Sequence, residues 1–315
     1  MRRWHSVLLC CLLVIGAVKS HAQSPVRQVL VLQSFHRGNL TLDHFTGAFR
    51  LSMDQRGGSG LNLVQVVVGP TGFISAAERA VVEYIRAMYA DRPPDLVMTV
   101  GGPAALFARK HREQLFPATP LLLAAMDHRY LRTEPLGQNE TAVPVANDMP
   151  RLIDDILQLL PDTRHVFMVT GSGPVGRFMR PVLDAGFERF RDRVTFIWSN
   201  EMSVPEILQR VTSLPPHSAI VYQTLGTDAQ GGTYTAEQVV AAIYTRANAP
   251  LFSAQSPYLG RGIVGGSLMD IDALAGRTAD VARQLLDGVS PASLRVSPQI
   301  SGSPRYDWRE LRRWK

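Results

Sequence analysis

Six short groups of residues in this chain share one setting. The groups at 34–36, 101–102, 127–128, 171–172, 224–228 and 255–256 each directly follow a short, apolar, β-branched run. Among them Ser34, His36, Gly101, Gly102, Asp127, Gly171, Ser172, Thr224, Asp228 and Gln255 supply hydroxyls, an imidazole, two carboxylates, an amide and glycines that expose backbone N–H groups. In an open parallel sheet a ligand lies beyond the carboxyl ends of the strands. The set is therefore suited to hydrogen-bonding a small polar organic molecule, with Phe35 and Tyr258 as apolar walls. Any one of these positions is explained by the polarity of turns. Their recurrence in two separate series of strand ends favours a ligand cleft. Asp228, in the Gly-rich loop Gly226-Thr-Asp-Ala-Gln-Gly-Gly232, is the carboxylate expected to close over ligand donors.

Other chemistries fit less well. Gly171-Ser-Gly173-Pro-Val-Gly176 matches G-x-G-x-x-G, follows a strand pattern and opens a helix, with Glu201 after the next strand. That is the outline of a dinucleotide site. However, it lies mid-chain, and Pro174 removes one N–H from the helix start that would hold a pyrophosphate. A tight turn is the better reading, and no cofactor is expected. His36, His128 and Asp127 could form a metal set, but two histidines on different loops lack the helical spacing of a metal motif, and no metal is assigned. Neither a G-x-S-x-G elbow nor an H-E-x-x-H pair occurs, so no catalytic residue is named.

These residues need a scaffold that brings strand ends together. Runs at 28–33, 61–68, 95–100 and 120–125 read as strands alternating with helical patterns at 41–55, from the capping box Ser75-Ala-Ala-Glu78 to a stop at Pro93-Pro94, and at 103–111. A second series has strands at 165–170, 194–198, 219–224 and 251–254, with helices between them. Ser203-Val-Pro-Glu206 and Thr235-Ala-Glu-Gln238 are capping boxes opening two of those helices. Alternation of this length predicts parallel sheets covered on both faces. The expected fold is α/β, with two doubly wound parallel-sheet lobes around a ligand cleft. The stretch 127–147, rich in Pro, Gly, Asn and Thr, reads as irregular and as the first passage between lobes; a second is placed near 251–266. The division is 1–22, 23–135, 136–255 and a final segment 256–315 that crosses between and packs on the lobes, with a helix over 270–288.

Residues 1–22 read as a removable export signal: Arg2 and Arg3, an apolar run over 7–18, then Ser20-His-Ala22. The run is shorter than the roughly 20 residues of a bilayer span. Both cysteines, Cys10 and Cys11, lie inside it, so the expected mature chain of about 290 residues has no thiol or disulfide and works outside the cytoplasm. The formal charge of +6 is about halved when Arg2, Arg3 and Lys19 leave. No basic stripe with interleaved aromatics is present, which argues against nucleic acid as a partner.

The most specific text is Gly262-Ile-Val-Gly-Gly-Ser-Leu-Met-Asp270, then Ala273-Leu-Ala-Gly276 and Ala282-Arg-Gln-Leu-Leu-Asp-Gly288. It resembles the C-terminal part of the ABC transporter substrate-binding family, whose fold is that of the type I periplasmic binding proteins. Val29-Leu-Val-Leu-Gln-Ser-Phe-His36, the run from Asp95 to Ala104 and Leu115-Phe-Pro-Ala-Thr-Pro120 resemble that family's first lobe. The ending Tyr306-Asp-Trp-Arg-Glu-Leu-Arg-Arg-Trp314 looks like the branch used as the extracytoplasmic sensor region of bacterial histidine kinases. The resemblance implies a periplasmic binding module rather than an enzyme. Its partner would be a membrane-embedded kinase module, or an ABC permease if the protein is free-standing. An exported enzyme on the same scaffold is the competing reading.

Overall fold

The computed structural model describes residues 26–35, 38–56, 60–68 and 75–314. The export signal with both cysteines, and His36, lie outside the described residues. The first lobe runs β1 (Arg27–Gln33), α1 (Leu40–Gln55), β2 (Leu61–Val67), α2 (Ser75–Met88), β3 (Leu96–Val100), α3 (Gly102–Lys110), α4 (Arg112–Leu115), β4 (Leu121–Asp127), α5 (Tyr130–Thr133) and β5 (Glu140–Ala146). The second runs α6 (Met149–Leu159), β6 (His165–Thr170), α7 (Pro174–Phe187), β7 (Thr195–Trp198), α8 (Val204–Arg210), β8 (Ser218–Thr224), α9 (Ala236–Arg246), β9 (Leu251–Phe252) and β10 (Gly265–Ser267). The chain ends with α10 (Ile271–Leu286), β11 (Gln299–Ile300), β12 (Pro304–Tyr306) and α11 (Trp308–Arg313).

Two parallel sheets result. The first has the order β11-β5-β4-β3-β1-β2 and the second β7-β6-β8-β9. In each, the second strand of the series lies outside the first and the third lies on the other side. This reversal creates a crevice beyond the ends of β1 and β3, and another beyond β6 and β8, where ligands of open α/β sheets sit. The strands are apolar because both faces are covered. Residues 29–33 of β1 and all of β3 are buried. One face of the first sheet packs on Phe45, Phe49 and Met53 of α1 and on Leu274, Ala279 and Leu285 of α10. The other packs on Val82 and Ile85 of α2 and Ala104 and Phe107 of α3. Burying each such large side chain contributes about 1.5–3 kcal/mol. The second sheet is sandwiched the same way, between Ile207, Val239 and Ile243 on one side and Leu152, Ile156, Leu183 and Phe187 on the other. The capping boxes expected at Ser203/Glu206 and Thr235/Gln238 form.

The stretch 127–147 is not irregular. It holds α5 and then β5, which pairs with β4 in the first sheet, so the chain leaves that sheet at 147–148 and not at the expected 135/136 boundary. Pro144 hides this strand, because proline cannot donate to a ladder and argues against an interior strand. The fold accommodates it with a register shift: Ala124 pairs with Val143 and Asp127 with Val145. The displaced residues, including Ala125 at φ 54, lie opposite the proline that has no N–H to offer.

Among the described residues three crossings join the lobes, where two were expected. The second falls at 268–270, later than 251–266: Leu268 packs in the second lobe's core and Met269 in the first's. After α10, β11 returns to the first sheet beside β5, and the chain crosses again through 301–303 to pair β12 with β10. The second and third crossings bond to each other, Gly302 N–H donating to the Leu268 carbonyl at 2.9 Å. No helix among the described residues is long and apolar enough to cross a membrane.

Candidate functional site

The strand ends of the two lobes face each other across a cavity of about 140 Å³. The first lobe contributes Thr41 and Leu42 from the start of α1, Gly101 and Gly102 from the start of α3, and Asp127 and Tyr130 beyond β4. Asn147 and Met149 come from the first crossing. The second lobe supplies Val175 and Met179 of α7, Gln223 and Thr224 at the end of β8, and Ser253, Gln255 and Tyr258 beyond β9. Two backbone positions on the wall are held at positive φ without being glycine, Phe35 at 64° and Ala125 at 54°. Such conformations cost of order 1–3 kcal/mol and cluster at functional sites.

Of the ten residues expected to bind ligand, Gly101, Gly102, Asp127, Thr224 and Gln255 line this cavity. Gly101 sits at φ 87, and a Cβ there would come within 2.9 Å of the Ser34 hydroxyl. At Gly102 the missing Cβ leaves room for the Tyr130 ring, which one would meet at 3.2 Å. Asp127 is nearly buried; its carboxylate accepts from Arg129 N–H at 3.0 Å and from the Arg129 guanidinium at 2.9 Å. The guanidinium also donates to the Asn147 carbonyl at 3.3 Å, so the acid is charge-paired and tied to the first crossing. Gln255 accepts a short hydrogen bond from Thr41, joining the lobes behind the cavity.

The others are placed differently. Ser34 is buried and accepts from Ala104 N–H at 2.8 Å, capping α3. Gly171 packs against the Thr227 carbonyl, where a Cβ would meet oxygen at 2.6 Å, and lines only a recess of about 20 Å³ beside Thr224. Ser172 donates to the Asp228 carbonyl at 2.7 Å. The expectation for Asp228 is corrected: its buried carboxylate accepts from Val204, Gln230 and Gly232 N–H at 3.0, 3.0 and 2.8 Å. It starts α8 and closes its own loop, because a buried carboxylate needs donors and the backbone supplies them. His36 lies outside the described residues. His128 faces the Val145 carbonyl at 3.3 Å. Among the described residues no group of three potential metal ligands occurs.

The sequence reading missed Gln223 and Ser253. Both line the cavity, and Gln223 Oε1 and Ser253 Oγ are buried without a hydrogen-bond partner in the protein. The sequence signal for Gln223 is a polar amide in the last residues of an otherwise apolar strand run. The aromatic wall extends beyond Phe35 and Tyr258. Tyr130 stacks on Phe178 of α7 across the lobes, ring centroids 3.9 Å apart. The Tyr222 and Tyr258 hydroxyls interact with each other, and the two rings meet edge-on at 5.3 Å. Burial pushes the Tyr258 hydroxyl up to about 12, and burial with the nearby Asp127 carboxylate does the same for Tyr130.

This architecture is that of the type I periplasmic binding protein-like class, and the solved structures similar to it include ABC transporter solute-binding proteins. One is an ABC domain from Streptococcus pneumoniae in complex with L-Trp, with TM-score 0.68, 17% identity, and coverage of 92% of this chain and 94% of that one. A solute-binding protein from Bacillus halodurans with bound myo-inositol has TM-score 0.58 at 10% identity, covering 93% and 98%. One from Mycobacterium smegmatis with bound glycerol has TM-score 0.57 at 14%, covering 91% and 96%. At these identities the likeness establishes the fold. No family model matches the sequence, and no curated protein matches it.

Proposed function

We propose that this protein is an extracytoplasmic solute-binding module that takes a small polar organic ligand between its lobes and reports occupancy by lobe closure. The observation that carries the reading is the interlobe cavity, whose lining includes Gln223 and Ser253, each with a buried, unpartnered polar atom, Gln223 Oε1 and Ser253 Oγ. Leaving such groups unpaired costs about 1–3 kcal/mol each, which a ligand with matching groups recovers. Bound small molecules in solved proteins of this fold support the same reading. Export, the absence of a catalytic role and the binding roles of Gly101, Gly102, Asp127, Thr224 and Gln255 are parts of this proposal.

Closure has to be read by a partner. The 306–314 ending favours a membrane-embedded histidine kinase module, making this the sensor region. The solved structures favour an ABC permease, making it the substrate-binding component of an importer. The binding step is common to both. A thermal-shift screen of amino acids, polyols and small aromatics, followed by calorimetry, tests it. A solute at 100 times its Kd adds about 2.7 kcal/mol of stability, and its effect should vanish in a Gly102→Trp variant, whose side chain must displace the Tyr130 ring of the cavity wall. A panel in which nothing binds, or binding indifferent to that substitution, refutes the reading.

A further inference from the structure

We infer that the cavity selects a compact, uncharged aromatic solute whose N–H or O–H edge meets Gln223 and Ser253. This rests on the solute-binding reading above and specifies its ligand class.

Size is the first constraint. A dry cavity of about 150 Å³ lined by apolar side chains takes up benzene, and this one is about 140 Å³. One aromatic ring with a short substituent, or a small fused pair of rings, fits; an oligosaccharide or a nucleotide does not.

Charge is the second. Among the described residues no lysine, arginine or histidine lines the cavity, and its one carboxylate, Asp127, is already paired with the Arg129 guanidinium at 2.9 Å. A ligand carboxylate could instead use the N-terminus of α3, where helix dipole and free amides favour anions. That end is largely taken. Gly101 N–H donates to the Ala124 carbonyl, Pro103 has no N–H, and Ala104 N–H is held by Ser34. Only the Gly102 amide of this turn is left, too little to replace the hydration of a carboxylate.

The distribution of polarity is the third. Leu42, Val145, Met149, Val175 and Met179 give the walls an apolar character, and Tyr130 and Tyr258 add ring faces and edges suited to offset or edge-on contact with another ring. Of the lining residues, Gln223 and Ser253 carry buried polar atoms without a partner, where β8 and β9 finish. Ser253 is fully buried. Its hydroxyl can donate or accept, and the Gln223 amide offers both functions. Asn39, Thr41, Asn147 and Thr224 add further polar groups to the lining, and a flat ring with one polar edge uses the apolar walls and the β8–β9 end together.

Matched pairs separate the alternatives by calorimetry on the mature chain: benzamide against benzoate, and indole against L-tryptophan. The expected result is that benzamide or indole binds at least about tenfold more tightly than its charged counterpart. Ser253→Ala, which removes only a hydroxyl, and Gln223→Leu should each weaken the bound member about 5- to 150-fold. Ser253→Ala should leave thermal stability near that of the parent, which guards against misfolding of the Gln223 variant. Tighter binding of benzoate or L-tryptophan, equal binding within a pair, no binding by either uncharged aromatic, or indifference to Ser253→Ala overturns the inference. If glycerol, myo-inositol or an amino acid binds instead, the solute-binding reading stands and this ligand class falls; if no solute binds, both fall.

Discussion

Tyr130 of the first lobe lies flat on Phe178 of the second, ring centroids 3.9 Å apart and planes 14° from parallel. The contact bridges the two lobes at the cavity wall. Phe35 also lies against Gly226, where a Cβ would approach the ring to 3.5 Å, and Gly38 packs under Thr235. The lobes are thus held together around the cavity by contacts that lobe opening must break.

Phe178→Ala tests the stack. Aromatic pairs are worth about 0.5–1.5 kcal/mol beyond burial, so closure weakens and affinity for the cavity's solute drops about 2- to 12-fold. X-ray scattering of the solute-bound variant should show a larger radius of gyration than the parent. Unchanged scattering and affinity would mean that closure does not depend on the stack.

Asp228→Ala should act on stability rather than on binding. The substitution strips the acceptor from three backbone N–H groups, at Val204, Gln230 and Gly232. Hydrogen bonds to a charged group contribute about 1.5–3 kcal/mol, and α8 loses the acid at its first turn. The expected loss is about 2–4 kcal/mol in urea unfolding, with solute affinity within about twofold of the parent. A large affinity loss at unchanged stability would restore the ligand role that its Gly-rich loop suggested.

The contrast between Asp228 and Gln223 shows what the sequence could say about the site. Alternating strand and helix patterns were enough to place both sheets, because residues such as 29–33 and 96–100 are buried on both faces and therefore read as continuous apolar runs. The same logic located strand ends, and five of the ten residues drawn from them line the cavity. Sequence position could not show where each side chain spends its hydrogen bonds. Ser34 and Asp228 sit at strand ends yet satisfy neighbouring helices, whereas Gln223 looks like part of a strand yet faces the cavity. Strand β5 escaped because Pro144 is tolerated only through a bulge in its neighbour, a compensation lying about 20 residues away in the chain.

The glycines of 171–176 lead to a third expectation. A Cβ on Gly176 would sit 2.1 Å from the Gly171 carbonyl oxygen, which is backbone and cannot step aside. Gly176 therefore lets α7 start directly against the turn after β6, a packing reason for the G-x-G-x-x-G spacing. Gly176→Ala should lower stability by more than about 2 kcal/mol, in the range of overpacked interiors. Calorimetry with NAD should show no binding to the parent chain. A stable Gly176→Ala protein, or NAD affinity in the parent, would return the motif to the dinucleotide reading.

The buried tyrosines of the cavity make stability sensitive to alkali. Tyr258 is almost completely buried, and its hydroxyl is pushed up to about 12 by loss of solvation. In the unfolded chain it titrates near its ordinary value of 10. Between those values the unfolded state has lost the proton and the folded state keeps it, so the unfolded chain binds fewer protons and unfolding becomes easier as pH rises. The contribution is fully present below pH 10 and is lost progressively as pH rises through 12. A two-unit shift corresponds to about 2–3 kcal/mol for this one group. Tyr130, also raised to about 12 but more exposed, adds a smaller term in the same direction. Urea unfolding from pH 8 to pH 12 should give a falling alkaline limb, and phenolate absorbance should show the cavity tyrosines titrating above the ordinary phenol value of about 10. Tyr258→Phe should be less stable than the parent at pH 8, having lost the hydroxyl interaction with Tyr222, yet flatter above pH 10. Parallel alkaline limbs in the two proteins would show that Tyr258 is not the group being forced to ionise.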